Sequence, residues 1–352
     1  MINSKKIIID EEKKINRFKK IIVIEGIIIV LVLILLFASS YSFSKAKTPL
    51  FTAPPLNNSA GLLSSRIYSG ILSPESHLIF DFKPLKDDLN NYLNKNKINI
   101  SVYVMNIRDG AEMGINENDE YEPASLNKLP IAVVVLRKIE NGELSMDESL
   151  PILASDVDNR SGELYKKGYS SLPVRTLLDY MLSDSDNTAF HVLSRQVTLK
   201  DLESLSEYLN YYNDYINSSS SVFHQNIYTL TPKSTSHIFL SIYLSTFLQP
   251  EASEFILNSL TKTSYDIKKY ANLPSDVIVS QKYGAYYVDD KKFFHSCGIM
   301  YMQDSRIFYC VMTKQIDEDK AKQVIGDLVN KIYWYIANTD AKLTKNFNST
   351  LN

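Results

Sequence analysis

Serine followed three residues later by lysine is a pair that can do nucleophilic chemistry. The hydroxyl is a weak nucleophile until a neighbouring base removes its proton, and a desolvated lysine can be that base. Such pairs in the chain include Ser42/Lys45, Ser44/Lys47 and Ser125/Lys128. Context separates them. The first two fall in a short stretch after an apolar run. Ser125 follows Glu122, Pro123 and Ala124 and opens an apolar segment, Leu126–Ile139, closed by Asn141 and Gly142, a helix-stop pair. Pro130 is tolerated only in a first turn, where amide donors lack intrahelical partners, so the spacing predicts a helix starting at about Ser125. The amine of Lys128 then lies one turn on, beside the Ser125 hydroxyl.

Two further triplets follow in order: Ser185-Asp186-Asn187, then Lys282-Tyr283-Gly284. Each alone is weak. The first sits between a predicted helix at Val174–Leu182 and another beginning near Thr188, so Asp186 or Asn187 could simply cap the second helix. The second lies within a strand-like run, Val277–Tyr287, where Lys-x-Gly by itself means nothing.

The elements that must position these groups are legible from periodicity. A helix near Pro84–Asn94 precedes strands at Ile98–Asn106 and Glu112–Ile115, with Arg108, Asp109 and Gly110 as the turn between them. After the helical middle come strands at Val277–Tyr287, Phe293–Met302 and Arg306–Thr313, then an amphipathic helix, Glu318–Ala337. Strands at both ends around a helical middle predict one antiparallel sheet backed by helices.

The ordered set Ser125/Lys128, Ser185/Asn187 and Lys282/Gly284 resembles the active-site motifs of class A β-lactamases and penicillin-binding proteins. The resemblance covers roughly residues 80–340. It includes Val102–Ile107 as the first strand, Pro123–Ile131 as the nucleophile helix and Leu182–Ala189 as the central loop. It implies an α+β β-lactamase/transpeptidase-like fold, with a five-stranded antiparallel sheet flanked by helices and a helical subdomain. It also implies roles. Ser125 attacks an amide carbonyl, Lys128 takes part in removing its proton, and Ser185 passes a proton to the leaving nitrogen. Asn187 holds the substrate's side-chain amide, and Lys282 supplies positive charge for its carboxylate. The amides of Ser125 and of Ala285, just after Gly284, form the oxyanion hole. The implied substrates are β-lactams or peptidoglycan peptides, which ties the chain to the cell wall and to antibiotic resistance.

Two departures stand out. Tyr283 occupies a position where the family has Thr or Ser. The glutamate that activates the deacylating water, with asparagine four residues on, is not evident. Glu254 and Asn258 have that spacing, but in a probable helix too late in the chain. Asp214, with Asn217 three residues on, is nearest the expected place and is the candidate substitute base. Three readings therefore stay open: a β-lactamase of uncertain speed, a D-Ala-D-Ala peptidase or transpeptidase, and an idle ectodomain that binds wall fragments or antibiotic.

The remaining signals concern location and exclusions. Residues 1–20 are rich in Lys and Arg, and residues 21–43 are apolar apart from Glu25, Gly26 and a few small polar residues. At 1.5 Å per residue that run spans roughly 34 Å, enough to cross a bilayer. The positive charge before it places residues 1–20 in the cytoplasm and everything after the span outside. A polar, Pro- and Ser-containing stretch, 44–76, reads as a linker, 77–340 as the hydrolase domain and 341–352 as a polar tail. A net charge of −2 gives no reason to expect nucleic acid. Five scattered histidines show no metal spacing, so neither metal nor cofactor is expected, and the domain is expected to be a monomer. If Gln303 and Asp304 form a two-residue turn, Met302 opposes Ser305 and Cys297 faces Cys310. Two buried free thiols are nevertheless expected there.

Overall fold

The computed structural model describes residues 81–209, 229–288, 291–303 and 305–350. The expected membrane span, the linker and Asp214 lie outside the described residues. Among those residues, no helix is long and apolar enough to cross a membrane.

Helix α1 (Lys83–Asn96) leads into β1 (Ile100–Asn106) and β2 (Glu112–Ile115). A 3₁₀ turn (Ala124–Asn127) runs into α2 (Lys128–Glu140). A small hairpin, β3 (Ser149–Pro151) with β4 (Ser171–Pro173), precedes α3 (Val174–Ser183), α4 (Asn187–Ser194) and α5 (Leu199–Tyr208). Then come α6 (Pro232–Tyr243), α7 (Pro250–Leu260) and the short α8 (Ile267–Tyr270). Strands β5 (Ile278–Val288), β6 (Lys291–Tyr301) and β7 (Arg306–Lys314) and helix α9 (Glu318–Thr350) complete the described chain.

The five-stranded sheet is antiparallel throughout, in the order β2-β1-β7-β6-β5, which leaves β5 at an edge. Seven central residues of β7 are buried, as both faces of a middle strand must be when helices cover each side. One face packs on α1 and α9. The buried stripe of α9 (Ala321, Val324, Ile325, Leu328, Val329, Ile332, Ile336) follows the i, i+3, i+4 rule, and each large member contributes about 1.5–3 kcal/mol on burial. Helices α6 and α7 pack on the sheet's other face. Helix α2 is apolar nearly all round (Leu129 to Leu136) because it runs through the middle of the helical part, against α3, α4 and α5.

Three expectations are corrected. The helix predicted from Ser125 starts as a 3₁₀ turn and becomes α-helical only at Lys128, since Pro130 supplies no amide and the turn closes by tighter i→i+3 bonds. The last helix, expected to end at about Ala337, instead runs on to Thr350, in a stretch without Gly or Pro to stop it. The third concerns sulfur. The predicted register holds, with Cys297 paired to Cys310 and Met302 N–H donating to Ser305 O (3.0 Å), but the two cysteines form a disulfide rather than free thiols. Their Cα atoms are 3.9 Å apart, closer than the general cross-strand Cα separation of about 4.5–5.5 Å.

Candidate active site

The 3₁₀ turn sets the first geometry. In such a turn residues i and i+3 eclipse, so Lys128 lies directly over Ser125, and its Nζ donates to Ser125 Oγ at 2.8 Å. The turn is held from both sides. Ala124, just before the serine, has φ +47°, a left-handed conformation that costs a non-glycine residue about 1–3 kcal/mol and persists only under external constraint. Part of that constraint is His295 of β6, whose ring nitrogen Nε2 bonds the Glu122 carbonyl at 2.9 Å. Burial pushes that imidazole down to about 4, so it is neutral and can donate there. The other part is β5. A Cβ on Gly284 would stand 2.9 Å from the Pro123 carbonyl oxygen and 3.1 Å from the Ser125 amide nitrogen. Only glycine lets the strand approach this closely, and Ala285 follows it along the edge.

The second group comes from the link between α3 and α4. Ser185 has φ +56°, and its hydroxyl accepts from Lys128 Nζ at 3.3 Å and from Lys282 Nζ at 2.9 Å. Asn187 Oδ1 accepts from Lys128 Nζ at 2.7 Å. Asp186 is the N-cap of α4 and takes the Ala189 amide (2.9 Å). It also takes the amides of Glu163 (2.8 Å) and Leu164 (2.9 Å), clamping the loop before β4 onto this link. Gly162 has φ +87°, and a Cβ there would lie 2.0 Å from Asp186 Oδ2.

The structure thus joins Ser125, Lys128, Ser185, Asn187 and Lys282 in one hydrogen-bonded chain and lays Gly284 against the Ser125 amide. Asp214 and Asn217 lie outside the described residues. Glu254 is buried on α7, where its Oε1 accepts from Asn258 Nδ2 (3.1 Å) on the same helix, in keeping with a chance match.

A sequence model of the Beta-lactamase enzyme family matches residues 84–336. The chain belongs to that family. It is 23% identical to β-lactamase VEB-1 of Pseudomonas aeruginosa over 265 residues, which is 70% of this chain and 88% of that protein. Two solved structures share its fold. A β-lactamase from Chitinophaga pinensis aligns at TM-score 0.64 and 22% identity, over 72% of this chain and all of that one. A mutant of PBP-A, solved as its acyl-enzyme complex with penicillin G, aligns at TM-score 0.64 and 18% identity, over 72% and 97%.

Within this β-lactamase-family site, charge is set mainly by burial. Lys128 is 2% exposed, and desolvation lowers its amine to about 7, against the opposing pull of the Asp186 and Asp158 carboxylates. Lys282 is fully buried and is also lowered, by desolvation and then by Lys128, with Asp184 opposing. Two lysines on one hydroxyl repel each other, so the pair favours fewer than two protons. Asp158 is half-buried, which would raise it, but bonds from Arg160 and His191 win and hold it below the ordinary carboxylate range. Tyr283 is partly buried against the core of the sheet. Its ring stacks on Phe294 (6.0 Å between centroids), its hydroxyl bonds Ser264 Oγ (2.8 Å), and Lys282 Nζ stands 4.8 Å from its centroid. The hydroxyl the family places here is thus engaged elsewhere.

The sequence reading missed Asp186 as a clamp, Gly162 beneath it, the Asp158–Arg160–His191 cluster, and His295. Asp186 sits inside a recognised triplet and could have been found there. The others join residues up to 173 positions apart and leave no local signal.

Proposed function

We propose that this chain is a membrane-anchored, extracytoplasmic serine hydrolase that β-lactams acylate at Ser125 and that opens the β-lactam amide, with slow release of the acyl group. The observation that supports it is the unbroken chain Ser125–Lys128–Ser185–Lys282, with Lys128 lowered to about 7. Neutral Lys128 takes the Ser125 proton as Oγ forms a bond to the carbonyl carbon. The Ser125 and Ala285 amides hold the resulting oxyanion, each such donor contributing about 3 kcal/mol. The C–N bond then breaks, and the nitrogen receives a proton from Ser185, which is replenished from the lysines. Asn187 orients the acyl side chain. A substrate carboxylate beside Lys282 restores the charge that burial disfavours.

Release needs a water that gives its hydroxyl to the acyl carbon and its proton back to Ser125, with a base beside it. Between Asn187 and Lys282 the sequence offers, at the expected place, Asp214 and no glutamate with asparagine four residues on, which supports slow release. A positioned base contributes about 10²–10⁴-fold. The expected behaviour with a chromogenic cephalosporin is a burst of one equivalent followed by slow turnover. Asp214→Asn changes the slow rate strongly if Asp214 is the substitute base and little otherwise. The adduct should map to Ser125 and vanish in Ser125→Ala; an adduct surviving that change refutes the assignment.

The penicillin-binding peptidase reading shares every acylation step, and the missing family glutamate favours it; a label that persists through a chase is its signature. Anchoring rests on the basic 1–20 and apolar 21–43 segments. Protease added to intact cells should digest the chain beyond Lys45, and full protection of the domain would reverse the orientation.

A further inference from the structure

A cavity of about 560 Å³ lies between the open edge of β5 and the segment joining α7 to α8, with Ser264, Val279 and Gln281 among its walls. That volume is in the range of small-ligand sites, about 300–1,000 Å³. Three observations say what belongs there. The first is continuity with the catalytic groups. Ser264 lines the cavity and bonds the Tyr283 hydroxyl, and the Tyr283 ring stands 4.8 Å from Lys282 Nζ, which itself bonds Ser185. The cavity therefore begins one phenol ring beyond the groups assigned above to the leaving nitrogen and its carboxylate. The second is charge. Lys262, Lys268 and Lys269 line it with a single carboxylate, Asp266. Lys269 pairs loosely with Asp266 (3.7 Å) and Lys262 with Asp179 (3.8 Å), whereas Lys268 Nζ donates to the Ser275 carbonyl (2.9 Å). The third is backbone. β5 is an edge strand, so alternate main-chain N–H and C=O groups point outward and can pair with an extended peptide.

We propose that this cavity is a subsite for an anionic extension of the leaving group, a peptide segment that continues past the scissile amide and carries a further carboxylate. This rests on the acyl-transfer reading. The reaction is the one already written: Ser125 Oγ bonds the acyl carbon, the C–N bond breaks, and the released amine takes the Ser185 proton. What the cavity adds is recognition of what that amine carries. A compact leaving group ends at Lys282, whereas a longer acidic one passes Tyr283 and meets the lysines. Tyr283, in place of a short hydroxyl, is the partition between the two volumes.

The test uses the full-length chain and two fluorogenic peptides with the same acyl part. One has a single-residue leaving group and the other has that residue extended by glutamate. The extended peptide should be acylating at least tenfold faster by kcat/KM. The triple variant Lys262→Ala, Lys268→Ala, Lys269→Ala should erase that advantage while keeping the single-residue peptide and penicillin labelling within twofold of the parent. An advantage that is absent, or that survives the triple variant, overturns the subsite. If neither peptide is turned over, binding of free alanyl-glutamate to the Ser125→Ala chain by NMR decides: lysine-dependent binding supports the subsite, and no binding overturns it. Failure of penicillin to label Ser125 would instead overturn the acyl-transfer reading and leave the binding arm able to judge the cavity by itself.

Discussion

Replacing Lys128 by methionine should make the protein nearly inert and remove a pH-dependent part of its stability, with both effects following one titration. Burial lowers this amine from its ordinary 10.5 to about 7. At about 1.4 kcal/mol per pH unit, keeping it protonated inside the fold costs about 5 kcal/mol. The sign follows from proton counts. Below pH 7 both folded and unfolded chains hold the proton, and the full penalty is present. Between 7 and 10.5 only the unfolded chain holds it, so stability rises with pH, and above 10.5 the penalty is gone. Lys128→Met removes the penalty but leaves Ser125 Oγ, Ser185 Oγ and Asn187 Oδ1 each short of one donor, offsetting about 1–2 kcal/mol apiece in a pH-independent way. The pH-dependent part survives the subtraction. The variant's stability relative to the parent should fall by about 3 kcal/mol between pH 6 and pH 9, measured by urea unfolding at both. Acylation of the parent by penicillin should rise about tenfold per pH unit up to 7 and then level. In the variant it should be slower by about 10²–10⁴-fold. A stability difference that does not change with pH, together with a flat acylation profile from pH 5 to 9, would show that Lys128 is not the titrating base.

Two further outcomes test the frame around that lysine. Gly284→Ala places a Cβ 2.9 Å from the Pro123 carbonyl oxygen, so β5 and the nucleophile turn must part; acylation should drop about 10²-fold, the loss of one oxyanion donor, and a parental rate would dismiss the close-approach argument. Thiol counting on the denatured, unreduced chain should find no free thiol, and reduction should remove about 3 kcal/mol of stability for cysteines 13 residues apart; two titrating thiols would contradict the disulfide.

What the sequence disclosed and what it withheld divide along a physical line. The β1–β2 hairpin, the three late strands and α3 were legible because alternation and helical spacing are local, and their observed limits lie within about two residues of the expected ones. Ser125 and Lys128 were legible for the same reason: three residues in a tight turn fix their meeting. The register of β6 and β7 followed from one turn, but the bond between Cys297 and Cys310 did not, since general strand spacing is too coarse to decide it. His295 on Glu122, and Asp186 on the amides of Glu163 and Leu164, are long-range contacts with no pattern in the chain. The helix end was missed for a weaker reason: polar residues after Ala337 look like a tail, yet nothing among them breaks a helix.

The site keeps its strain where chemistry needs fixed direction. Ala124 and Ser185 are both non-glycine residues in left-handed conformations, one beside the proposed nucleophile and the other the proposed proton carrier. Each would relax if free, and each is pinned by groups that take no part in the reaction. His295 and Gly284 hold the first, and Asp186 with its three amides sits beside the second. The groups proposed for acylation all sit on these pinned elements, on α2 or on β5. Asp214, proposed as the water base, belongs to a different part of the chain. On that proposal, acylation and release are carried by separable pieces of sequence. A chain of this family can lose speed in the second step while keeping the first intact, and that is the behaviour by which a hydrolase of β-lactams grades into a protein that holds them.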